Sequence, residues 1–323
     1  MDVNLSSVIS IVVPAHNEAR FLRGLLQSIR QFAPAGVETV IVDNGSSDDT
    51  SSIARNHGCL VTKLDRRAFP SVARNAGVRA CSGEILVFLD ADVELTAEWG
   101  ATLTAMIESL RARPMVVTGD QYHISQRPSW LERVWFDSLR ARTPTYIDGG
   151  NLITTRTVFD AIGGFAEHLE TSEDVDFCMR AISQGAELRV HHGFKVFHEG
   201  YPKTASGFVR RERWHGRSDF RSVHSVVRSK VAVAAVAFLL LHALLALSVV
   251  SGVLFGHGYH AAIACVLLIV LLCLASCLQK FRRNSLPLML ANLPVMYLYY
   301  IGRSRSALDA LRSGVVDARA RHR

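Results

Sequence analysis

Short apolar runs alternate with amphipathic segments over the first hundred residues of the chain. The amphipathic segment Ala19–Gln31 places its large apolar side chains on one helical face, Ser71–Ala80 is a second predicted helix, and a third ends near Gly58. Strands separated by helices pair in parallel through right-handed crossovers. The pattern therefore predicts an α/β fold: a Rossmann-like, mostly parallel sheet flanked by helices. Its four strands are the short, β-branched or apolar runs Val8–Val13, Thr39–Asp43, Leu60–Leu64 and Ile85–Asp90.

The periodicity is weaker after Glu98. Residues 120–148 are poorly periodic, and we expect a loop or a helix there. Shorter elements are predicted around this segment. They are helices at Ala101–Arg111 and Asp174–Gln184, and strands at Met115–Gly119, Asn151–Thr155, Leu188–His191 and Lys195–His198.

Two long apolar runs follow the α/β part. Residues 231–255 contain no Asp, Glu, Lys or Arg, and the run at 261–279 is similarly apolar up to its last residues. Because a membrane span needs about 20 apolar residues, both are predicted transmembrane helices. A third apolar stretch, residues 286–302, is short and contains two prolines, so we expect an interfacial or re-entrant segment in preference to a third span.

Positive charge is concentrated beside these apolar runs. The net charge is +7, and eight Lys or Arg lie between Lys203 and Lys230 against two acids. This placement favours a basic juxtamembrane segment at 206–230 over a nucleic-acid surface. The link between the two spans carries no Lys or Arg, and the tail at 303–323 is basic. The positive-inside rule then predicts a hairpin with both ends in the cytoplasm, and hence a multi-pass protein of the inner membrane.

The cysteines and the N-terminal residues do not indicate a functional site or a targeting signal. The six cysteines form no C-x-x-C pair, so neither a zinc site nor a redox motif is indicated. The first apolar run is too short for a signal peptide, and we expect the N-terminal part, residues 1–205, to stay in the cytoplasm. Dinucleotide, P-loop, serine-hydrolase and zinc-protease motifs do not occur.

Asp90-Ala91-Asp92 is the first motif that carries chemistry. It follows a predicted buried strand, and open α/β sheets bind ligands at the carboxyl ends of their strands. Two carboxylates that face one crevice repel each other unless a cation joins them, and Mg²⁺ or Mn²⁺ prefers such oxygen ligands. A solvated acidic turn is the alternative for this pair taken alone.

Other acids follow the same pattern. Asp43 ends the second predicted strand, where a carboxylate can accept hydrogen bonds from a base or ribose, and Glu18 follows the first strand. Turn formation and helix capping explain these positions equally well. Glu173-Asp174 begins a predicted helix, where an acid either caps the helix or acts as a general base. His198, at the end of a short strand, is either a metal ligand or a structural histidine.

The ordered set of motifs resembles the family 2 glycosyltransferases, which are inverting enzymes with the GT-A fold. The resemblance extends from residue 8 to about residue 200 and rests on the order of the motifs as well as their content. The motifs are VVPAHNE, VIVDNGSSDDT, ARNAGV, ILVFLDADV, GGNLITTR, IGGF and SEDVDFCMR.

The resemblance implies roles for particular residues. It implies that Pro14, Ala15 and Glu18 lie beside the nucleotide, that Asp43 holds the base or ribose, and that Arg74 approaches the nucleotide or its phosphates. The metal, Mg²⁺ or Mn²⁺, is then held by the D-x-D pair, with Asp92 the more direct ligand, and by His198. Asp174 matches the catalytic base, and Glu173 orients the acceptor.

The activity implied is transfer of one sugar from a nucleotide-sugar donor to a hydroxyl of a glycolipid or of an envelope or exopolysaccharide precursor. The Arg213-Trp214 pair only partly matches the Q-x-x-R-W motif of processive members, because Arg210 stands in place of Gln. A polyprenyl-phosphate sugar synthase, a catalytically silent nucleotide-binding protein anchored in the membrane and a nucleotidyltransferase are the alternatives.

Overall fold

The computed structural model of the protein describes residues 8–140 and 144–312. The chain divides into two compact units, of which the first comprises residues 1–127 and 142–201 and the second comprises residues 128–141 and 202–323. The predicted boundary at residue 205 lies close to this division. No feature of the sequence indicated that residues 128–141 group with the C-terminal part.

Within the described ranges, ten strands and six helices belong to the first unit. The helices are α1 (Ala19–Phe32), α2 (Thr50–Asn56), α3 (Pro70–Ala80), α4 (Ala97–Ala112), α6 (Arg156–Ile162) and α7 (Glu173–Ser183), and α5 (Asp137–Arg140) belongs to the second unit. The strands are β1 (Ile9–Ala15), β2 (Glu38–Asp43), β3 (Leu60–Lys63), β4 (Ile85–Leu89), β5 (Val93–Leu95), β6 (Val116–Gly119), β7 (His123–Ile124), β8 (Asn151–Thr155), β9 (Glu187–Val190) and β10 (Val196–His198).

Seven strands form the main sheet in the order β3, β2, β1, β4, β8, β6, β9. The predicted α/β fold with a mostly parallel sheet is confirmed, since β1 pairs in parallel with both β2 and β4. Strand β8 departs from this pattern, because it runs antiparallel to both β4 and β6. Between β6 and β8 the described helical residues, Glu132–Phe136 and Asp137–Arg140, belong to the second unit, so no described helix of the first unit forms a crossover that would impose a parallel direction.

Apolar side chains cover both faces of the main sheet. Alternate residues of β1 point to opposite faces, so Ile11 packs with Leu22 and Trp99 of the α1 and α4 layer, while Val12 packs on the other side. On that side, Phe88 of β4 contacts the rings of Phe159, Phe165 and Phe177. This double coverage explains why the strands are continuous apolar runs.

A second sheet of three strands, in the order β5, β10, β7, brings distant segments together. Strand β10 is antiparallel to β5, and His198 lies opposite Val93 in this register. His198 is thereby placed one residue away from Asp92 along the neighbouring strand.

The second unit is helical and includes two helices that are long and apolar enough to cross a membrane, α10 (Lys230–Phe255) and α11 (Tyr259–Phe281). The predicted segment 286–302 forms two helices, α12 (Leu286–Ala291) and α13 (Leu293–Arg312). Each proline is the second residue of its helix, where the missing N–H costs nothing. Because α13 continues to Arg312, the first ten residues of the predicted basic tail are helical; residues 313–323 lie outside the described residues.

Helix α8 (Ala205–His215) packs against α13 within this unit, and the short helix α9 (Val223–Arg228) lies between α8 and α10 in the chain. Arg303 donates hydrogen bonds to the buried Glu212 at 3.0 Å and to Asp219 at 2.9 Å. Arg213 of the partly matching motif forms two hydrogen bonds with Asp309, at 2.6 and 2.7 Å. Part of the positive charge of the basic segment and of the tail is therefore neutralised by ion pairs within the second unit.

Candidate active site

The carboxyl ends of β1, β2 and β4 carry the acids singled out in the sequence. Pro14 and Ala15 end β1, and Ala15 is paired with Asp43 at the end of β2. The carbonyl of Ala15 accepts a hydrogen bond from the Asn44 N–H at 2.8 Å. Glu18 follows at the start of α1. These four positions, for which the resemblance implies contact with the nucleotide, are therefore neighbours at one edge of the sheet.

Asp43 is a buried, fully hydrogen-bonded carboxylate. It accepts hydrogen bonds from the Ser46 N–H at 2.8 Å and from the hydroxyl of Ser51, and Lys63 lies 3.8 Å away. Burial raises the pKa of a carboxyl, but these donors outweigh it and hold the pKa of Asp43 below its usual value. Asp43 is thus ionised at neutral pH and fixes the turn that opens α2.

Glu18 lies close enough to Asp90 and Asp92 for their charges to act on its carboxyl group. Burial, followed by the charges of Asp92, Asp90 and Asp48, raises its pKa to about 8. A cation near the two aspartates would remove most of the charge repulsion. The residue before Glu18, Asn17, has a left-handed backbone with φ of 57°.

Asp90, Asp92 and His198 form a group with one ligand atom from each lying within 4.8 Å of the others. His198 Nε2 is 3.6 Å from Asp92 Oδ2, while His198 Nδ1 is buried and has no hydrogen-bond partner among the described residues. Burial and the Asp90 charge raise the pKa of Asp92, although His198 opposes them. Two carboxylates and an imidazole that lie this close together fit the donor set of Mg²⁺ or Mn²⁺.

Arg74 joins the D-x-D pair to the start of α7. Its guanidinium donates to Asp90 Oδ1 at 2.8 Å and to Glu173 Oε1 at 2.7 Å, and the side chain is almost entirely buried. Burial lowers the pKa of an arginine, but the two carboxylates raise the pKa of Arg74 above its ordinary value. Arg74 thus binds two protein carboxylates, and its approach to the nucleotide or its phosphates, which the resemblance implies, stays a prediction.

Asp174 lies beside Glu173 in the first turn of α7. It accepts hydrogen bonds from the Val175 N–H at 2.8 Å and the Gly149 N–H at 3.2 Å. Burial and the neighbouring Glu173 charge outweigh these bonds and raise the pKa of Asp174. Ser172, before this pair, has a left-handed backbone with φ of 65°. Ser172 and Asn17 are the two non-glycine residues in this conformation within the described ranges, and each directly precedes a site acid.

The structure adds residues that sequence reasoning missed. Tyr122 donates its hydroxyl to Asp90 Oδ2 at 2.7 Å and lies against the His198 ring. Burial and the Asp174 charge raise the pKa of Asp148 to about 7. Gly200 lies so close to Asp92 that an added methyl group would overlap the carboxylate. The DGGN segment before β8 contains Asp148 and was a usable signal, but Tyr122 lies in the aperiodic segment and offered none.

Two models of known protein families match the chain. The model described as "Glycosyl transferase family 2" matches residues 10–168, and the model described as "Glycosyl transferase family group 2" matches residues 120–278. The chain belongs to glycosyl transferase family 2. The matched residues of this family 2 chain include nearly all of the first unit and the first apolar helix, α10.

Relatives of the family 2 chain are named as glycosyltransferases. The pre-mycofactocin glycosyltransferase of Mycobacterium tuberculosis is 25% identical over 226 residues, which cover 65% of this chain and 46% of that protein. Glycosyltransferase AglE of Haloferax volcanii is 26% identical over 208 residues, covering 60% of this chain and 67% of that protein. The chain thus spans less than half of the length of the mycobacterial relative.

A solved structure is similar in fold. The mannosyltransferase of Pyrobaculum calidifontis, determined in complex with GDP-Man and Mn²⁺, has a TM-score of 0.55 and 19% sequence identity. The similarity covers 93% of this chain and 86% of that one. At this identity the comparison shows the fold alone, which is of the GT-A type.

Proposed function

We propose that this protein is an inverting glycosyltransferase that moves a single sugar from a nucleoside-diphosphate sugar to a hydroxyl group. The observation that carries the proposal is the double contact of Arg74. One buried guanidinium binds Asp90 of the metal group and Glu173 of the acceptor-side pair. The residues needed to bind a leaving diphosphate and to activate an acceptor are therefore held in one cluster.

Asp92, Asp90 and His198 would hold Mg²⁺ or Mn²⁺. When bound, the ion supplies charge neutralisation for the departing nucleoside diphosphate. The position of His198 Nε2, 3.6 Å from Asp92 Oδ2, and the raised pKa of Asp92 support this assignment. The Mn²⁺ present with GDP-Man in the Pyrobaculum calidifontis mannosyltransferase is consistent with the same cofactor class.

Asp174 is proposed as the general base. Its carboxylate takes the proton of the acceptor hydroxyl while the acceptor oxygen forms a bond to the anomeric carbon. The bond from that carbon to the diphosphate oxygen breaks on the opposite face, so the configuration inverts. A raised carboxyl pKa makes Asp174 a stronger base than a free aspartate. Glu173, held by Arg74, is proposed to orient the acceptor.

Pro14, Ala15, Glu18 and Asp43 are proposed to bind the nucleoside. Asp43 is ionised and held rigidly by Ser46 and Ser51, which suits a carboxylate that accepts hydrogen bonds from a ribose or a base.

The acceptor is proposed to be lipid-linked or a precursor of an envelope polysaccharide. Two apolar helices and the basic segment before them support a membrane protein with its transferase part in the cytoplasm. The relatives' names, which include a 4,4'-diaponeurosporenoate glycosyltransferase of Staphylococcus haemolyticus, are compatible with an apolar acceptor.

The test is transfer of labelled sugar from a panel of nucleotide sugars to a bacterial lipid extract by the full-length protein in detergent, with Mn²⁺. We expect one donor class to give a lipid-soluble glycoside whose anomeric configuration, measured by NMR, is opposite to that of the donor. Retention of configuration would refute the proposed displacement. A sugar-phosphate product that still forms with Asp174→Asn would establish the polyprenyl-phosphate synthase instead, and release of pyrophosphate would indicate a nucleotidyltransferase.

A further inference from the structure

Tyr122 contacts two of the three groups in the metal cluster. Its hydroxyl donates to Asp90 Oδ2 at 2.7 Å, and its ring centroid is 4.8 Å from that of His198. The same hydroxyl accepts a hydrogen bond from the Gly150 N–H at 2.9 Å, which fixes the direction of the O–H bond. One side chain thus sets the orientation of a carboxylate and an imidazole that come from different sheets.

Asp90 is held from both sides. Arg74 donates to its Oδ1 and Tyr122 donates to its Oδ2, so each carboxylate oxygen already has a protein donor. Among the described residues, no hydrogen bond from another side chain to the Asp92 carboxylate is found. The Asp92 carboxylate instead faces His198, whose Nε2 is 3.6 Å from its Oδ2, whereas the position of Asp90 is determined by its two donors. His198 is enclosed in the same way, because the ring of Tyr201 stacks on it at 4.1 Å.

The absence of a side chain at Gly150 allows its backbone to lie next to Asp90 and Tyr122. A side chain at this position would overlap both the Asp90 carboxyl group and the Tyr122 hydroxyl. The backbone of the segment before β8 therefore approaches the cluster closely enough to bind the hydroxyl directly, and Asp90 N–H in turn donates to the Gly150 carbonyl at 3.3 Å. A tyrosine that merely filled the core would satisfy its hydroxyl at any nearby acceptor, but this hydroxyl bonds to a predicted metal ligand.

We propose that Tyr122 is a positioning residue of the metal site, which holds Asp90 through its hydroxyl and His198 through its ring. The inference rests on the proposed function only in assigning a divalent cation to this cluster. Groups that orient metal ligands from outside the coordination sphere usually contribute 10- to 100-fold to metal affinity or activity. Removing the hydroxyl should therefore weaken metal binding without unfolding the protein.

The test is a titration of the full-length protein in detergent with Mn²⁺, with free Mn²⁺ measured by electron paramagnetic resonance. We expect Tyr122→Phe, which keeps the ring, to raise the dissociation constant about 10-fold, and Tyr122→Leu, which removes both contacts, to raise it up to about 100-fold. Tyr146→Phe removes a hydroxyl from another half-buried tyrosine of the same unit and serves as the matched control. It should bind Mn²⁺ as the wild type does, and all three variants should keep the wild-type far-UV circular dichroism.

The results of the Mn²⁺ titration distinguish a failure of the positioning role of Tyr122 from a failure of the metal assignment. If the wild type binds Mn²⁺ and Tyr122→Phe binds it equally well, the positioning role is wrong while the metal site stands. If the wild type binds no Mn²⁺, the metal assignment itself fails. Transfer activity gives a second readout: excess Mn²⁺ should restore the turnover of Tyr122→Phe, because the defect lies in metal binding. A loss of turnover that no concentration of Mn²⁺ restores would overturn the role.

Discussion

Asp148 and Asp174 carry charge where the surroundings disfavour it. Burial raises the pKa of both carboxyl groups, and the charge of a neighbour raises each further: Asp174 acts on Asp148, and Glu173 acts on Asp174. Buried carboxylates that repel one another reduce stability and gain basicity. The two effects lead to separate predictions for the two residues.

Replacing the proposed base should abolish turnover. For Asp174→Asn we expect kcat to fall by about 10²- to 10⁴-fold, because the amide cannot accept the acceptor's proton, while the donor KM changes little. In the wild type, kcat/KM should rise with pH, with a midpoint above the ordinary carboxyl value of about 4, since the pKa of Asp174 is raised.

Asp176→Asn is the matched control for this change, because Asp176 lies in the same helical turn and is paired with Arg180 at 2.6 Å. It should keep its turnover within a few-fold. Steady-state kinetics from pH 4 to 9 provide the measurement, and a fully active Asp174→Asn would show that another group, or no base, serves the reaction.

Replacing Asp148 should stabilise the protein at neutral and higher pH. Its pKa is raised to about 7 in the folded state from an ordinary value near 4, so the folded protein binds the extra proton and loses stability as pH rises between these values. Asp148→Asn should increase Tm at pH 8 by roughly 2–4 °C for each kcal/mol of relieved cost, and should have no such effect at pH 4.

Thermal unfolding in detergent with EDTA measures this effect without metal. The exposed Asp160→Asn, in the same unit, is the control and should not change Tm at either pH. An Asp148→Asn variant that is less stable than wild type at pH 8 would mean that the carboxylate is compensated by a partner.

At the scale of elements, strands were more predictable than their directions. Val8–Val13 and Ile85–Asp90 identified β1 and β4 because strands covered on both faces are continuous apolar runs. The antiparallel direction of β8 could not be predicted, since it depends on how residues 120–148 lead the chain back to the sheet. The contact of Tyr122 with Asp90 could not be predicted for the same reason. The D-x-D and E-D motifs could be identified, because each is a local cluster of charged residues in the sequence.

Close packing of α8 on α13 is a second element-scale feature with a consequence. A Cβ atom at Gly302 would lie 2.6 Å from the Glu212 Cβ atom and 2.9 Å from the Val209 carbonyl oxygen. Gly302→Leu should therefore separate the helices, expose the buried Glu212–Arg303 pair and cost about 1–3 kcal/mol or more. Leu311→Ala, at an exposed position of the same helix, is the control. Equal melting temperatures for Gly302→Leu and wild type would contradict this packing.

At the scale of the whole molecule, the predicted topology places the link between α10 and α11 outside the cytoplasm. His257 lies in this link, so His257→Cys should react with a membrane-impermeant maleimide on intact cells. Wild type should remain unlabelled, because three cysteines are half-buried or buried in the first unit, which is predicted to face the cytoplasm, and the other three are buried in α11. Val223→Cys, an exposed position before α10, should react only after permeabilisation. The reverse pattern would invert the topology.

The central claim is that one cluster of residues binds a divalent cation and activates an acceptor for sugar transfer. It is tested most directly by the release of nucleoside diphosphate from a nucleotide sugar by the full-length protein in detergent, with a lipid extract as the source of acceptor. The account predicts release that requires Mn²⁺ or Mg²⁺ and is lost in both Asp92→Asn and Asp174→Asn, although both variants keep the wild-type Tm or exceed it. Release that persists without a divalent cation, or in Asp92→Asn, would contradict it.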